Sequence, residues 1–319
     1  MLWPFMPQEP DLMTSASNSI PILYHYPMSP FSEKIRATMG VLNAEWRSVT
    51  VPAFPPRSDL SSFIDGYRRI PVLQIGAQFY CDSQLAYDAL YEGASELRVL
   101  SPEDEHFRQW AESDVFFAVL SAQKPSTVVR FLTRELGVRG FLYFVRDRAR
   151  MMRESALNVL SATDSSNLIE RYVASLSGRL VDQAFLSGLS PRYLDVCCYH
   201  PLWMAERVNS KACLHWPERV RAWTNRMQAL GHGSKLSASD GDIEAAIRSD
   251  EFDTTDWSLA PGWRLGEAVV VSPLDYGLDP SWGQLASLCD KRIVIRRRAP
   301  SGASIYLHFP RTGFSVMRR

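Results

Sequence analysis

Cysteine is scarce in this chain. Its five residues, Cys81, Cys197, Cys198, Cys213 and Cys289, are odd in number and lack the spacing of a disulfide framework. That excludes a cross-linked secreted scaffold and suits reduced thiols in a cytoplasm. Adjacent Cys197 and Cys198 read as helix-packing residues, not as a redox pair. Long apolar runs are missing too: none approaches the ~18 residues that a membrane-spanning helix needs. The apolar opening Met1-Leu2-Trp3-Pro4-Phe5-Met6-Pro7 lacks a basic start and is broken by prolines, so it does not read as a signal peptide. No sign of charge prevails, since 35 basic residues balance 35 acidic ones. No global field therefore draws the chain to nucleic acid or to a membrane. His200, His215 and Cys213 are too scattered to make a metal site, so no metal is expected. Neither a Gly-rich phosphate loop nor a Ser-His-Asp order is present.

What is present is enough chain for two or three domains: 319 residues, 46% of them hydrophobic. Residues 1–19 read as a flexible leader. The most informative stretch is Ile22-Leu23-Tyr24-His25-Tyr26-Pro27-Met28-Ser29-Pro30-Phe31-Ser32-Glu33-Lys34-Ile35-Arg36. A short apolar strand runs into a Pro-bounded turn, then into a helix from Ser32 to Leu42. This aims a hydroxyl at a helix N-terminus, where free N–H groups and the helix dipole stabilise an anion such as a thiolate. Trp46 to Val51 reads as a second strand and the Pro-rich Val51 to Pro56 as a loop. Val72 to Ile75 and Gln78 to Tyr80 flank Gly76 as a hairpin. Asp82 or Ser83 then caps a helix through Leu90. Strand, helix, strand, hairpin, helix is a thioredoxin-like order.

From Pro102 the pattern is helical: Glu103 to Gln123, Leu168 to Phe185, a very apolar Leu194 to Val208, and Pro217 to Leu230. The expected fold is thus an α/β thioredoxin-like domain (20–94), an all-α helical bundle domain (101–248), and a small all-β C-terminal domain (258–319).

Three blocks carry a family resemblance: the Ser29-Pro30-Phe31-Ser32 turn, Arg69-Ile70-Pro71-Val72-Leu73, and Phe79-Tyr80-Cys81-Asp82-Ser83-Gln84-Leu85. In this order they resemble the glutathione-binding domain of the glutathione S-transferases. Asp182 to Gly188 followed by Leu194 to Tyr199 extends the likeness into the helices. The family usually has Ser or Thr three residues before Asp195; here Arg192 stands there, so only Asp195 carries over, as a structural cap. The resemblance covers about Ile20 to Leu230. It implies that Ser29 activates the thiol of glutathione, with Ser32 as a replacement donor; the plainer alternative is that Ser29 only caps its helix. A donated hydrogen bond lowers the thiol's pKa and populates the nucleophile. Ser at both Ser29 and Ser32 excludes protein-disulfide redox chemistry. Tyr24 and Tyr26 read as packed aromatics. By resemblance Pro71 is cis and lets Val72 pair its backbone with the tripeptide. Ser83 would hold the γ-glutamyl carboxylate at a helix N-terminus, Asp82 would face the γ-glutamyl ammonium, and Arg69 would meet the glycyl carboxylate or stand as a solvated loop arginine.

Two parts are foreign to a plain transferase. Residues 124–163 read as an insertion, either a solvated helical hairpin beside the cleft or a lid or dimer contact. The tail reads as five short strands, Glu267 to Ser272, Trp282 to Leu288, Arg292 to Arg298, Ala303 to Phe309 and Phe314 to Met317. Joined through the acidic linker Ser249 to Asp256, they are expected to make a small β-barrel or rolled sheet. Val269, Val271, Ile293, Ile295, Ile305, Leu307 and Phe309 would form its inward face, and Trp257, Trp263 and Trp282 would anchor it on the helical domain. Its nine basic against four acidic residues match no nucleic-acid motif, so nucleic acid is not expected as a partner. The expected activity is transfer of the glutathione thiolate, with glutathione as co-substrate, to a small electrophile held near Phe116 and Phe117, by a cytoplasmic homodimer without membrane attachment. The rival reading is a non-catalytic glutathione-binding or scaffold protein of the same fold.

Overall fold

A computed structural model describes residues 19–64, 66–91, 100–153, 160–209, 214–249 and 257–319. The leader up to residue 18, residues 250–256 of the acidic linker, and Cys213 lie outside the described residues. The chain opens with β1 (Ile22–His25), α1 (Pro30–Val41), β2 (Glu45–Thr50), α2 (Ser58–Ile64), β3 (Val72–Ile75), β4 (Gln78–Tyr80) and α3 (Ser83–Leu90). This is the thioredoxin-like order read from the sequence, with α2 added where an irregular segment was expected. Arg57 prepares that helix: its buried guanidinium donates to the carbonyls of Pro52 (2.8 Å), Ala53 (3.3 Å) and Arg68 (2.5 Å) and so ties the Pro-rich loop together.

The helical part contains α4 (Pro102–Trp110), α5 (Phe116–Ser121), α6 (Pro125–Arg153), α7 (Ala162–Arg179), α8 (Tyr193–Val208) and α9 (Glu218–Ala229). A π-helical turn, Ala111–Val115, joins α4 to α5 and makes one continuous rod of the expected Glu103 to Gln123 helix. The inserted α6 is helical but broken at Gly137 (φ 70°, ψ 171°). Asp195, read from the sequence as a cap, is buried in the first turn of α8. Its buried carboxylate accepts from the backbone N–H groups of Leu186 (2.7 Å), Ser187 (3.2 Å) and Arg192 (3.1 Å) and from Trp223 Nε1 (2.9 Å). The Arg192 side chain supplies no reciprocal cap bond.

After α9 the chain returns to the sheet. It adds β5 (Ser234–Ser237), α10 (Asp240–Arg248), β6 (Ala268–Pro273), β7 (Ser281–Leu288), β8 (Arg292–Arg298), β9 (Ser304–Pro310) and β10 (Phe314–Arg318). All five tail strands form where expected, but they close no barrel. They extend one ten-stranded open sheet of order β10-β6-β7-β8-β9-β4-β3-β1-β2-β5. The joint is parallel pairing of β4 with β9: Gln78 faces Tyr306, Phe79 faces Leu307 and Tyr80 faces His308. Backbone bonds Tyr306 N to Ala77 O and Cys81 N to His308 O, each 2.9 Å, close it.

Strand alternation then builds two cores. Leu23, Trp46, Leu73 and Tyr80 face α1, α3 and the helical part. Ile22, Tyr24, Val72 and Phe79 share the opposite layer with the expected inward residues Val269, Val271, Ile293, Ile295, Ile305, Leu307 and Phe309. The tail is therefore seated on the thioredoxin-like part, not on the helical domain. The anchors are corrected with it. Trp257 meets Tyr306 edge to face (4.9 Å) and Trp263 lies under Arg318 (4.3 Å), but Trp282 is 40% exposed. Among the described residues no helix is long and apolar enough to cross a membrane.

Candidate functional site

The site begins where β1 ends. Tyr26-Pro27-Met28 turn the chain, and Ser29 N donates to Tyr26 O at 3.1 Å. Ser29 keeps an extended backbone (φ −78°, ψ 121°), Pro30 opens α1, and Ser29 Oγ accepts from Ser32 N at 3.1 Å. That bond uses a lone pair of the hydroxyl and leaves its O–H to donate. Ser29 is buried, yet it reaches the wall of a cavity of about 420 Å³ between the α/β and helical parts. Ser32 is different. It is fully buried, is not on that wall, and its Oγ has no partner among the described residues.

Most of the wall is apolar: Met28 and Phe31 come from the α1 end, Phe116 and Phe117 from α5, and Phe144 and Met152 from α6. Phe31 packs on Phe116 with ring centroids 4.8 Å apart. Phe116 and Phe117 thus stand where the sequence put them. The insertion is no bystander. Arg148 of α6 donates to Tyr26 Oη (3.4 Å) and Ala53 O (3.1 Å), its neighbour Asp147 accepts from Arg68 (2.5 Å), and Tyr143 stacks on Phe54 (5.9 Å). These contacts seat α6 across one side of the cavity. Tyr26, read as a packed aromatic, lines it as well, whereas Tyr24 is buried and donates to Gln74 Oε1 at 2.7 Å.

The remaining expected residues are distributed less simply. Ile70-Pro71 is a cis peptide bond, as expected. Ile70 is on the cavity wall, but Val72 is fully buried in β3 opposite Tyr24 and is not. The backbone that can offer itself to a ligand is therefore that of Ile70. Asp82 caps α3, its Oδ1 accepting from Gln84 N at 2.7 Å, and Ser83 opens that helix half-buried. Burial is the main influence that pushes the Asp82 carboxyl above its ordinary value. Neither residue lines the apolar cavity. Arg69 does, but it is no solvated loop arginine. It pairs with Asp275, donates to Tyr276 O from Nε at 3.2 Å, and lies 4.0 Å from the Tyr276 ring. Arg68, Ile70, Arg148 and Tyr276 are among the wall residues that sequence reasoning passed over. The first two adjoin expected site residues. Arg148 lies in the inserted segment, and Tyr276 lies between the first two tail strands.

Among the described residues no cysteine lines the cavity. Burial pushes the Cys81, Cys197 and Cys198 thiols up, which keeps them protonated. Among the described residues no His, Cys, Asp or Glu group could hold a metal. A second hollow, about 580 Å³, lies on the tail sheet beside Trp282, Arg296, Arg297, Arg298 and Arg319, away from Ser29.

With this geometry in hand, comparison with known proteins is informative. Residues 23–96 match the family described as "Glutathione S-transferase, N-terminal domain". The fold is similar to that of a GST-like protein from Pseudomonas syringae, with 26% identity and a TM-score of 0.71 over 94% of this chain and 100% of that one. That span cannot be reached without most of the tail strands. A glutathione S-transferase domain-containing protein from Marinobacter aquaeolei matches 65% of this chain and 97% of its own at 19% identity, TM-score 0.44. A theta class glutathione S-transferase from Xanthomonas axonopodis pv. citri, solved with glutathione bound, matches 73% of this chain and 98% of its own at 15% identity, TM-score 0.40. No curated protein matches.

Proposed function

We propose that this chain, a member of the glutathione S-transferase family, holds glutathione between Ser29 and the start of α3 and delivers its thiolate to an apolar electrophile in the cavity. The observation that supports this most is the state of Ser29. It is a buried hydroxyl at a helix N-terminus, on the wall of a largely apolar cavity, with its acceptor side satisfied by Ser32 N and its O–H without an acceptor among the described residues. A thiol sulfur beside it would receive a hydrogen bond and the positive end of the α1 dipole, both of which favour the thiolate. The thiolate then attacks the electrophile, a bond forms from sulfur to the electrophilic atom, and the leaving group or addition site takes the electron pair.

The other roles follow from position. Ile70 replaces Val72 as the residue whose backbone pairs with the extended tripeptide. Ser83 and the first amides of α3 receive the γ-glutamyl carboxylate, and Asp82 receives the ammonium. Met28, Phe31, Phe116 and Phe117 would hold the electrophile. Reduced thiols fit a cytoplasmic setting. A homodimer would have to avoid the edge of β4, because β9 already covers it.

A specific observation favours a second reading, a binding protein without turnover: the cation expected to meet the glycyl carboxylate, Arg69, is already paired with Asp275. One experiment separates the two. Glutathione affinity is measured by calorimetry, and the thiol pKa of bound glutathione by thiolate absorbance, in wild type and Ser29→Ala. The transferase reading expects turnover to fall further than affinity, with the thiol pKa raised in the variant. An identical thiol pKa would remove Ser29 from the chemistry; binding without turnover on a panel of electrophiles would leave the second reading.

A further inference from the structure

We propose that the loop joining β6 to β7, residues 274–280, is a wall of the ligand cavity and that its Tyr276 is a ligand-contacting residue that helps set specificity. The identity of the ligand as glutathione or its conjugate rests on the reading above. The placement of Tyr276 does not.

The loop leaves the sheet between two strands of the tail and runs back along residues 66–69, just before the cis Ile70-Pro71 bond. It is docked there at several points. Asp275 pairs with Arg69, and Asp279 accepts from Arg68 at 3.5 Å. Tyr276 offers its carbonyl to Arg69 Nε at 3.2 Å and its ring to the same guanidinium at 4.0 Å. The backbones also meet. A Cβ on Gly66 (φ 92°) would stand 1.8 Å from Pro280 O, and one on Gly277 (φ 58°) would stand 3.2 Å from Arg68 Cγ. Both glycines combine a left-handed backbone with a close approach: at Gly66 no side chain fits, and at Gly277 one would be strained and would press on the Arg68 stem. A loop fixed by two ion pairs, a stacked guanidinium and two glycine contacts forms part of the site's frame.

Tyr276 is the member of this loop that reaches the cavity, sharing its wall with Ser29, Tyr26, Arg69 and Phe116. Among the described residues nothing bonds its hydroxyl. An otherwise anchored phenol on a mostly apolar wall, with its donor and acceptor both unspent, is suited to a polar atom of a ligand. Burial pushes the phenol's pKa up, so it stays neutral and can donate. Asp275 has a positioning role, since it holds Arg69 in the stack that orients the Tyr276 ring.

The test uses the full chain with two probes: glutathione by calorimetry, and the apolar anionic fluorophore 8-anilinonaphthalene-1-sulfonate by fluorescence. Tyr276→Phe keeps the ring over Arg69 and removes only the hydroxyl. It is expected to weaken glutathione about fivefold, within the range for one neutral hydrogen bond. Tyr276→Ala also removes the ring and should weaken both probes roughly tenfold or more, since apolar wall is lost with the hydroxyl. Leu265→Ala, an exposed residue outside this loop, should bind both as wild type does. Should wild type fail to bind glutathione, the proposed function falls, and the fluorophore decides the role of Tyr276 alone. Unchanged affinity for both probes in Tyr276→Phe and Tyr276→Ala overturns the proposal. If Tyr276→Ala does not fold, Tyr276→Phe decides: an affinity for glutathione equal to wild type overturns it.

Discussion

Replacing Glu112 by Gln should be among the most damaging single changes in this protein, although Glu112 touches no proposed ligand. Lys34 lies on α1, about one and a half turns beyond Ser29, and is completely buried. Its Nζ is 2.5 Å from Glu112 Oε1 and 5.1 Å from the centre of the Tyr193 ring. The other Glu112 oxygen takes Arg108, which Glu105 also holds at 2.6 Å. Burial alone would raise the Glu112 carboxyl; Lys34 and Arg108 overcome this and bring it down to about 2. Burial likewise opposes the Lys34 ammonium, and Glu112, through its charge and its hydrogen bond, helps hold the Lys34 pKa above the ordinary value all the same. Glu112→Gln keeps the shape and a carbonyl acceptor but removes the negative charge, which leaves a sealed ammonium without its counter-charge, a loss of about 3–5 kcal/mol. In a chain of this size that corresponds to a fall in Tm of roughly 4–7 °C. Lys34→Met removes the charge that needs a partner, and Glu112 keeps Arg108, so its cost should be about 0–1 kcal/mol or a gain. Urea unfolding followed by tryptophan fluorescence measures both, and the double variant should recover much of the loss. The sign with pH follows from the lowered carboxyl: its contribution is complete above the unfolded value near 4.5 and disappears as pH falls through about 2. If Lys34→Met costs as much as Glu112→Gln, the pair acts through packing and the electrostatic reasoning is wrong.

Two further outcomes test the fold. Removing residues 258–319 should strip the partner from the β4 edge and half the wall from a shared apolar layer, giving an insoluble or lower-melting protein in thermal denaturation; a truncated chain as stable as the whole would mean that the tail is an independent module. Burial lowers His25 and His308 to about 3 and His200 to about 4. The unfolded chain therefore takes up protons that the folded one refuses, and stability should be complete above pH ~6.5 and decline by up to ~1.4 kcal/mol per pH unit for each histidine towards pH 4. Denaturation at a series of pH values reads the slope, and a flat profile there would show that these imidazoles are not held neutral.

The elements most legible in the sequence are those that depend on local chemistry. Ser29 with Pro30, Gly76 between two short apolar runs, and Asp82 before Ser83 each announce a cap or turn through its own residues, and all three form. The tail strands were legible for the same reason, since alternation in Ile293 to Ile295 and Ile305 to Phe309 is a local property. What could not be read was the partner of each edge. The β-branched residues that would line a barrel line an open sheet equally well, and only tertiary pairing chooses between them. The helix at Ser58–Ile64 was hidden because its support is Arg57 reaching distant carbonyls. Val72 was named through the resemblance, not through a local signal; it faces Tyr24 in the ladder and lies off the cavity wall, while Ile70, two residues earlier, is on it. Tyr276 had no local signal, because its role depends on a loop returning more than two hundred residues later to Arg69.

That return has a thermodynamic consequence for how site and tail relate. Parallel strands cannot be joined by a tight turn, so β9 can reach β4 only after a long excursion of chain. Here the excursion includes the entire helical part, which supplies Phe116 and Phe117, and the β6–β7 loop, which supplies Tyr276. Pairing at the β4 edge and enclosure of the cavity are thus formed by the same closure of the chain. Loss of the β4–β9 joint would release the loop from Arg68 and Arg69 together with the strands, because Asp275 and Asp279 lie between β6 and β7 of the sheet that the joint holds in place. Conversely, anything that orders the loop on the cavity adds to the stability of the tail by mass action. The extension is therefore better understood as the fourth side of the site than as a passenger, and its strands and the segment before Pro71 should open and close as one unit.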